Sequence, residues 1–205
     1  MSTSPPLPPA LRWIAFGAAL VLGTALDLWS KGWAFEALPG PGDTRVVVED
    51  WFSFTHATNR GAAFGLFQGQ HTFFMVVSLM AFVAVPYFVH TSPRTRKGLL
   101  TAGVLGLILA GVTGNFWDRV VHGFVRDFLD AHTPPTGSVH DLCERLFGRT
   151  VWPTFNVADV FITVGALVMV VFLGREEEPK KSPSTAPEPA APSPAAVTEG
   201  TRTPP

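Results

Sequence analysis

The sequence predicts an all-α polytopic membrane protein with four transmembrane helices and a small extracytoplasmic β-rich loop region. Three observations lead there. The chain of 205 residues is 47% hydrophobic and only 15% charged. Its apolar residues gather in four runs, Trp13–Leu26, Thr72–Val89, Gly98–Trp117 and Phe155–Gly174, and a helix needs about 20 mostly apolar residues to cross the hydrocarbon core. Two long loops and one short, strongly basic loop separate the runs. The formal net charge is −1, with no basic excess and no basic-aromatic patch, so a nucleic-acid partner is not expected.

Residues 1–10 are rich in Ser and Pro and are expected to be disordered. The first span, about 12–29, is the shortest apolar run. It has the basic start and apolar centre of a signal peptide, but it continues into "DLWSK" rather than a small-x-small cleavage site. No Cys follows to complete a lipobox, and it is read as a retained helix ending near Trp29. Residues 32–70 form the first long loop. Within it "TRVVVEDWFSFTHATN" is rich in β-branched and aromatic residues, which predicts a small sheet at the membrane surface. The second and third spans, about 72–89 and 98–117, are joined by "HTSPRTRKG". The second long loop covers 118–154 and contains "DLCERLF", read as a short amphipathic helix. It carries the single cysteine, Cys143, which cannot form an internal disulfide and has no metal-binding spacing. The fourth span is 155–174. Residues 11–174 thus form one four-helix membrane domain, and 175–205 a disordered Pro/Ala-rich tail.

Orientation follows from the positive-inside rule. Arg94, Arg96 and Lys97 crowd the short loop, and Arg175, Lys180 and Lys181 follow the fourth span. Both termini are then cytoplasmic, and both long loops lie outside.

That topology gathers the notable polar residues on one side. Asp27 and Lys31 close the first helix. Asn59 and Gly61 lie in "NRGAAFG". Asn115, Asp118 and Arg119 close the third helix, Asp127 follows in "GFVRDFLD", and Asn156 and Asp159 open the fourth. Each admits a structural reading: an i,i+4 ion pair for Asp27 and Lys31, a surface pair for Asp118 and Arg119, a solvated charge for Asp127. Asn156 and Asp159 could simply cap a helix. Together they suggest more. A carboxylate inside a span costs about 2.5–3.5 kcal/mol on insertion scales. Paired acids near a low-dielectric boundary share one proton, so one serves as base and the other as acid. Such a pair activates water against an amide carbonyl. No Ser/His pair with a supporting motif, Walker loop, HExxH or CxxC competes for the chemistry.

At this point "DLWSK", "NRGAAFG", "GNFWDRVVHGFVRDFLD" and "FNVADVFITVG" resemble, in order and in place, the signature blocks of the lipoprotein signal peptidase family, also called signal peptidase II. The resemblance covers about residues 13–174. It implies an aspartic endopeptidase of the bacterial inner membrane, with its site near the outer face. Its substrates would be prolipoproteins carrying a diacylglyceryl group, cut immediately before the lipidated Cys, with membrane lipid as a partner. It implies Asp127 and Asp159 as the catalytic dyad. Asn59, Gly61, Asn115, Asp118, Arg119 and Asn156 would line and order the site, and Asp27 and Lys31 match the first block. No metal or organic cofactor is implied, and globomycin-type cyclic peptides would occupy the site.

The chain departs from the family's usual pattern at Leu28, Ser30, Phe116 and Trp117. Arg126 stands before Asp127 where an aliphatic residue is usual; turned inward, it would depress the Asp pKa. Residues 131–153 read as an insertion. The rival readings are a small transporter using Asp27, Asp127 and Asp159, and a non-catalytic membrane scaffold. Transport sites lie nearer the membrane centre, between broken helices or repeats, and the sequence contains no internal repeat.

Overall fold

The computed structural model describes residues 6–61, 71–148, 150 and 152–173. The expected C-terminal tail, the first five residues and the "AAFG" half of "NRGAAFG" lie outside the described residues.

Helix α1 spans Pro9–Ala37. It starts within the segment expected to be disordered, because Pro9 occupies the first helical turn, where its missing N–H costs nothing. It also runs two turns past Trp29. The residues after Lys31 are mostly good helix formers, and the helix stops only at Leu38, before the Pro-Gly-Pro stretch 39–41. Asp27 and Lys31 therefore lie within the helix rather than closing it. Helix α2 is His71–Thr91 and α3 is Arg96–His122. The Thr95 side chain caps α3 by accepting from Gly98 N at 3.2 Å. α3 ends at Gly123, whose φ of 75° is the left-handed C-cap glycine favours. Ending at His122 rather than near 117 brings Asp118 and Arg119 inside the helix.

Between these helices a three-stranded antiparallel sheet forms, in the order β1 (Thr44–Val48), β2 (Phe52–Asn59), β3 (Val125–Ala131). The first two strands are where the sequence predicts them. The third comes from the second long loop and pairs Ala57 with Asp127 and Asn59 with Val125. Helix α4 covers Ser138–Phe147. Phe155 then exchanges backbone hydrogen bonds with Leu129 at 2.8 and 2.9 Å, tying β3 to the entry of α5 (Val157–Val168), which continues as a π turn over Met169–Leu173.

By length and hydropathy α1, α2 and α3 can each cross a membrane; the apolar stretch from Val157 is shorter. The fourth expected span is thus present as a helix but does not reach that length among the described residues.

α3 is the central helix, packing on α1, α2 and α5. Close approach to α5 depends on Gly111, where a Cβ would overlap the carbonyl of Ala158. One half of the bundle has an apolar core of Phe16, Val85, Val89, Ala102, Leu105 and Leu109. Elsewhere the usual distribution is inverted. Asp27, Lys31, Asp118, Asp127 and Asn156 are fully or almost fully buried, while Ile14, Val21, Leu22, Val83, Leu100 and Val170 are largely exposed. Charge inside and aliphatic side chains outside is the pattern of a protein solvated by lipid.

Candidate active site

The polar residues picked out in the sequence come from α1, β2, α3, β3 and the start of α5, and they meet in one continuous hydrogen-bonded network. Its base is a set of buried ion pairs. Lys31 Nζ lies 2.8 Å from Asp27 Oδ2, 3.4 Å from Asp118 Oδ2 and 2.8 Å from Asn115 Oδ1. Asp27 also accepts from the backbone N of Ala158 at 2.8 Å, so α1 holds the first turn of α5. Gly114 makes room for this carboxylate, since a Cβ there would overlap it.

Asp118 and Arg119 are not a pair. Asp118 points inward and accepts from Arg126 three times, from Nη2 at 2.8 Å, Nε at 3.1 Å and the backbone N at 3.0 Å. Successive strand residues face opposite sides, so Arg126 turns to Asp118 while Asp127 turns to the site, and the depressed Asp127 pKa considered above does not arise. Arg119 reaches the other way. It donates to the carbonyl of Gly61 at 3.4 Å and lies 4.8 Å above the ring of Phe74.

The two remaining acids sit at the top of this framework. Asp127 accepts from Asn59 Nδ2 at 2.9 Å and Asn156 Nδ2 at 2.6 Å. Asp159 accepts from Asn115 Nδ2 at 2.9 Å and from the backbone N of Asn156 at 3.2 Å. Asn156 thus bridges the two carboxylates. It is also the N-cap of α5, its Oδ1 accepting from Asp159 N at 3.1 Å in a reciprocal capping box. The capping role and the site role coexist because the cap uses only one oxygen of Asp159 and only the oxygen of Asn156. Asn59 is oriented in turn by Gly61 N, which donates to its Oδ1 at 2.9 Å.

Burial pushes the Asp127 carboxyl up to about 7, and the charge of Asp159 pushes the same way. The hydrogen bonds from Asn59 and Asn156 and the charge of Lys31 oppose this rise. The charges of the cluster make sense of it. Lys31 and Arg126 offset Asp27 and Asp118. Arg119 alone then faces Asp127 and Asp159, so the set is neutral when those two share one proton.

Asp159 lines two cavities. One, of about 270 Å³, lies among α2, α3 and α5 and includes Asn59, Asn115, Arg119, Phe74 and Ser78. The other, of about 440 Å³, is bounded by Trp152, Pro153, Phe155 and the α5 residues Val160, Ile162 and Val164. Phe74 and Ser78 are site residues that the sequence did not reveal, and Arg126, noted there beside Asp127, serves Asp118 instead. Phe74 is one of 17 phenylalanines, and nothing local sets it apart. Among the described residues no His, Cys, Asp and Glu side chains are grouped to hold a metal.

Residues 19–174 match the family described as Signal peptidase (SPase) II. The chain is 34% identical over 158 residues to the lipoprotein signal peptidase of Clostridium novyi, covering 77% of this chain and 95% of that protein. It is 35% identical over 161 residues to that of Chlorobium phaeobacteroides, covering 77% and 93%. A solved bacterial membrane enzyme structure, determined in meso at 1.9 Å, superposes with a TM-score of 0.61 at 25% identity over 84% of this chain and 97% of that one. Another, at 2.3 Å, gives a TM-score of 0.64 at 24% identity over 88% and 100%.

Proposed function

The chain belongs to the signal peptidase II family, and from that premise we propose that Asp127 and Asp159 are its catalytic dyad and that they work at the outer face of a four-span inner-membrane domain, residues 11–174. The protein is an aspartic-type membrane peptidase that removes signal peptides from lipoproteins. The observation that carries the dyad assignment is the Asn156 bridge, which ties the buried Asp127 to the part-buried Asp159 at the cavity wall, while the other acids of the network, Asp27 and Asp118, have their own cations.

In the working state the pair holds one proton. The ionised carboxylate takes a proton from a water, whose oxygen attacks the scissile carbonyl, while the other proton passes to the carbonyl oxygen. The gem-diol then collapses. The protonated carboxyl gives its proton to the leaving amide nitrogen, the C–N bond breaks, and the other carboxylate takes a proton from a gem-diol hydroxyl as the carbonyl reforms, so the pair again holds one proton. The proton belongs to the pair rather than to either residue. Asn59, Asn115 and Asn156 fix the carboxylates. Lys31 fixes the amide of Asn115 by occupying its oxygen, which turns its NH₂ to Asp159. Arg119 and Gly61 shape the cavity wall, and Asp27 and Asp118 hold the framework.

Supporting the placement, Trp29, Trp33 and Trp117 are exposed at the site end, as aromatic residues are at a membrane–water boundary. At the opposite end the backbone N of Leu7 donates to Arg94 O at 2.9 Å, so the N-terminal segment lies beside the basic loop and would share the cytoplasmic side that the positive-inside rule gives that loop. Helix α5 with its π turn runs for about 25 Å at 1.5 Å per residue, most of the way across the hydrocarbon core. The substrate's signal peptide would then cross the membrane with its lipidated Cys at the depth of the dyad. That explains why a diacylglyceryl-modified prolipoprotein is cut just before that Cys, and globomycin-type cyclic peptides would compete for the same cavity. Nothing in this reading calls for nucleic acid or a cofactor.

The test is purified protein in detergent with lipidated and unlipidated prolipoprotein, read by gel shift. The lipidated substrate is expected to be cut and the unlipidated one to be poor. Equal cleavage of both would remove the positioning argument, and an external reporter signal after Arg96 would invert the placement.

A further inference from the structure

We propose that α4 is an interfacial helix that lays its apolar half on the outer leaflet of the bilayer beside the mouth of the active site. This rests on the placement of the site end at the outer boundary given above. Along Ser138–Phe147 the sequence divides cleanly. Val139, Leu142, Cys143 and Leu146 follow i, i+3, i+4, i+7 spacing and share one half of the helix, while His140, Asp141, Glu144 and Arg145 share the other. On the polar half only His140 turns toward the protein, while Asp141, Glu144 and Arg145 stand exposed. The His140 Nδ1 lies 3.0 Å from the carbonyl oxygen of Pro134, and the ring lines a cavity of about 520 Å³ with Asp50, Asp130 and His132. On the apolar half Cys143 is partly covered and the other three side chains are exposed. Val139, Leu142 and Leu146 are 44, 54 and 65% exposed.

Three features identify the bilayer as what covers that half. A lipid surface is the environment of this multi-pass protein, so an apolar stripe outside the bundle has lipid within reach. The two stretches of chain that carry α4 are pinned at boundary level. Thr133 N donates to Thr150 O at 3.0 Å, and Trp152 N donates to Ala131 O at 3.1 Å. Trp152 in turn lies just before the Asn156 cap of α5. The helix therefore leaves the body close to the depth of the boundary tryptophans instead of projecting on a stalk. Its ionic charges also nearly cancel, Asp141 and Glu144 against Arg145 and the following Arg149. Nothing there selects a charged protein partner, and an amphipathic helix lying in the membrane plane needs only its apolar area. Contact with the leaflet would steady Trp152, Pro153 and Phe155, which wall the larger cavity at Asp159.

The experiment places a nitroxide at single cysteines in otherwise full-length protein, on a Cys143→Ser background, in nanodiscs of zwitterionic lipid. Leu142→Cys reports the apolar half, Glu144→Cys the polar half and Trp29→Cys the boundary itself. Collision with molecular oxygen, which concentrates in lipid, is compared with collision with a water-soluble nickel chelate. The expected oxygen-to-nickel ratio is several-fold higher at 142 than at 144, and unchanged by added salt. If 142 and 144 are both nickel-accessible while 29 reads as boundary, α4 stands in water and the inference falls, leaving the placement intact. If 142 is shielded from both reagents, a protein surface covers it, and the inference falls equally. If 29 itself reads as fully aqueous, the placement of the site end fails first.

Discussion

The two ends of the helix bundle both bury charge, and they do so in opposite ways. At the end near the basic loop, Arg12 is buried among apolar neighbours and donates to the carbonyl oxygens of Val89 and Ser92 and to Ser92 Oγ. These are the last carbonyls of α2, where a cation is favoured by the unpaired C=O groups and the helix dipole. One cation meets fixed dipoles, and no proton has reason to move. At the other end Asp27, Asp118, Asp127 and Asp159 meet Lys31, Arg119 and Arg126. There acids exceed cations by one, and the cluster is neutral only if it keeps a proton. The first end is a fastening. The second is poised for proton transfer, and the difference lies in the charge count rather than in burial.

The largest effect should come from removing that proton's home. Asp127→Asn and Asp159→Asn are each expected to lower cleavage of lipidated substrate by roughly 10⁴-fold or more, with the double variant no worse than either single one, because the pair acts as a unit. Stability should move the other way for Asp127. Its carboxyl has a folded pKa raised to about 7, so between the unfolded value and 7 the folded state binds more protons than the unfolded one. Its contribution to stability is full at low pH and is lost as pH rises through 7. Asp127→Asn should therefore raise the unfolding free energy at pH 8 relative to the parent, by up to about 4 kcal/mol, and the Tm with it. That gain should shrink as pH falls toward 4. Near-normal cleavage by either variant would return that residue to a helix cap or a solvated loop charge.

Next in size is the cation between the acids. Lys31→Met leaves Asp27 and Asp118 facing each other in a site that excludes water, and a broken buried pair costs on the order of 3–5 kcal/mol. The variant should accumulate poorly or melt early, and any folded fraction should cleave slowly because the Asn115 oxygen keeps only the Asn156 amide as donor. Asp27→Asn should keep detectable turnover, since Lys31 retains Asp118 and Asn115. If Lys31→Met melts like the parent, the framework role of these pairs is wrong.

Much of this division was legible in the sequence, and the unread part has a common cause. Apolar runs and signature blocks are local, so the helices, the first two strands and the polar residues that meet in one network could be named. Pairings that depend on distant chain returning were not. Asp118 looked like the partner of Arg119, its neighbour, until β3 brought Arg126 back to it. Lys31 looked like a partner of Asp27 alone, although it also holds Asn115 from another helix. β3 itself was missed because Val125–Ala131 shows no regular alternation of polar and apolar residues and has no hairpin turn signal beside it; it is set by pairing with β2. The helix ends were misjudged where charge interrupted the apolar run but no proline or C-cap glycine followed until Pro39 and Gly123.

A smaller change tests how the site tunes its proton. Asn59 donates to one oxygen of Asp127, and a donor to the ionised form favours ionisation. Removing it in Asn59→Ala should raise the Asp127 pKa further. The proton of the pair is then lost at higher pH, so the alkaline limb of kcat/KM should move upward while the rate at the optimum falls roughly 10-fold, as for loss of a hydrogen bond to a charged group. A downward move of that limb would mean that Asp127 is not the group losing the proton.

The smallest effect on catalysis is expected at the far end. Arg12→Gln keeps a donor near the α2 carbonyls but removes the charge, so the bundle should lose about 1–3 kcal/mol and melt earlier. Both pH limbs and kcat should stay where they are, because Arg12 meets dipoles and no acid of the network. The residues between it and the site are the apolar cluster of Phe16, Leu105 and Leu109, which offers no titratable group to carry a change in charge. A shift of either limb in this variant, measured at a temperature where both proteins are fully folded, would show that the two ends share one electrostatic system. The charge count that separates them would then have to include Arg12.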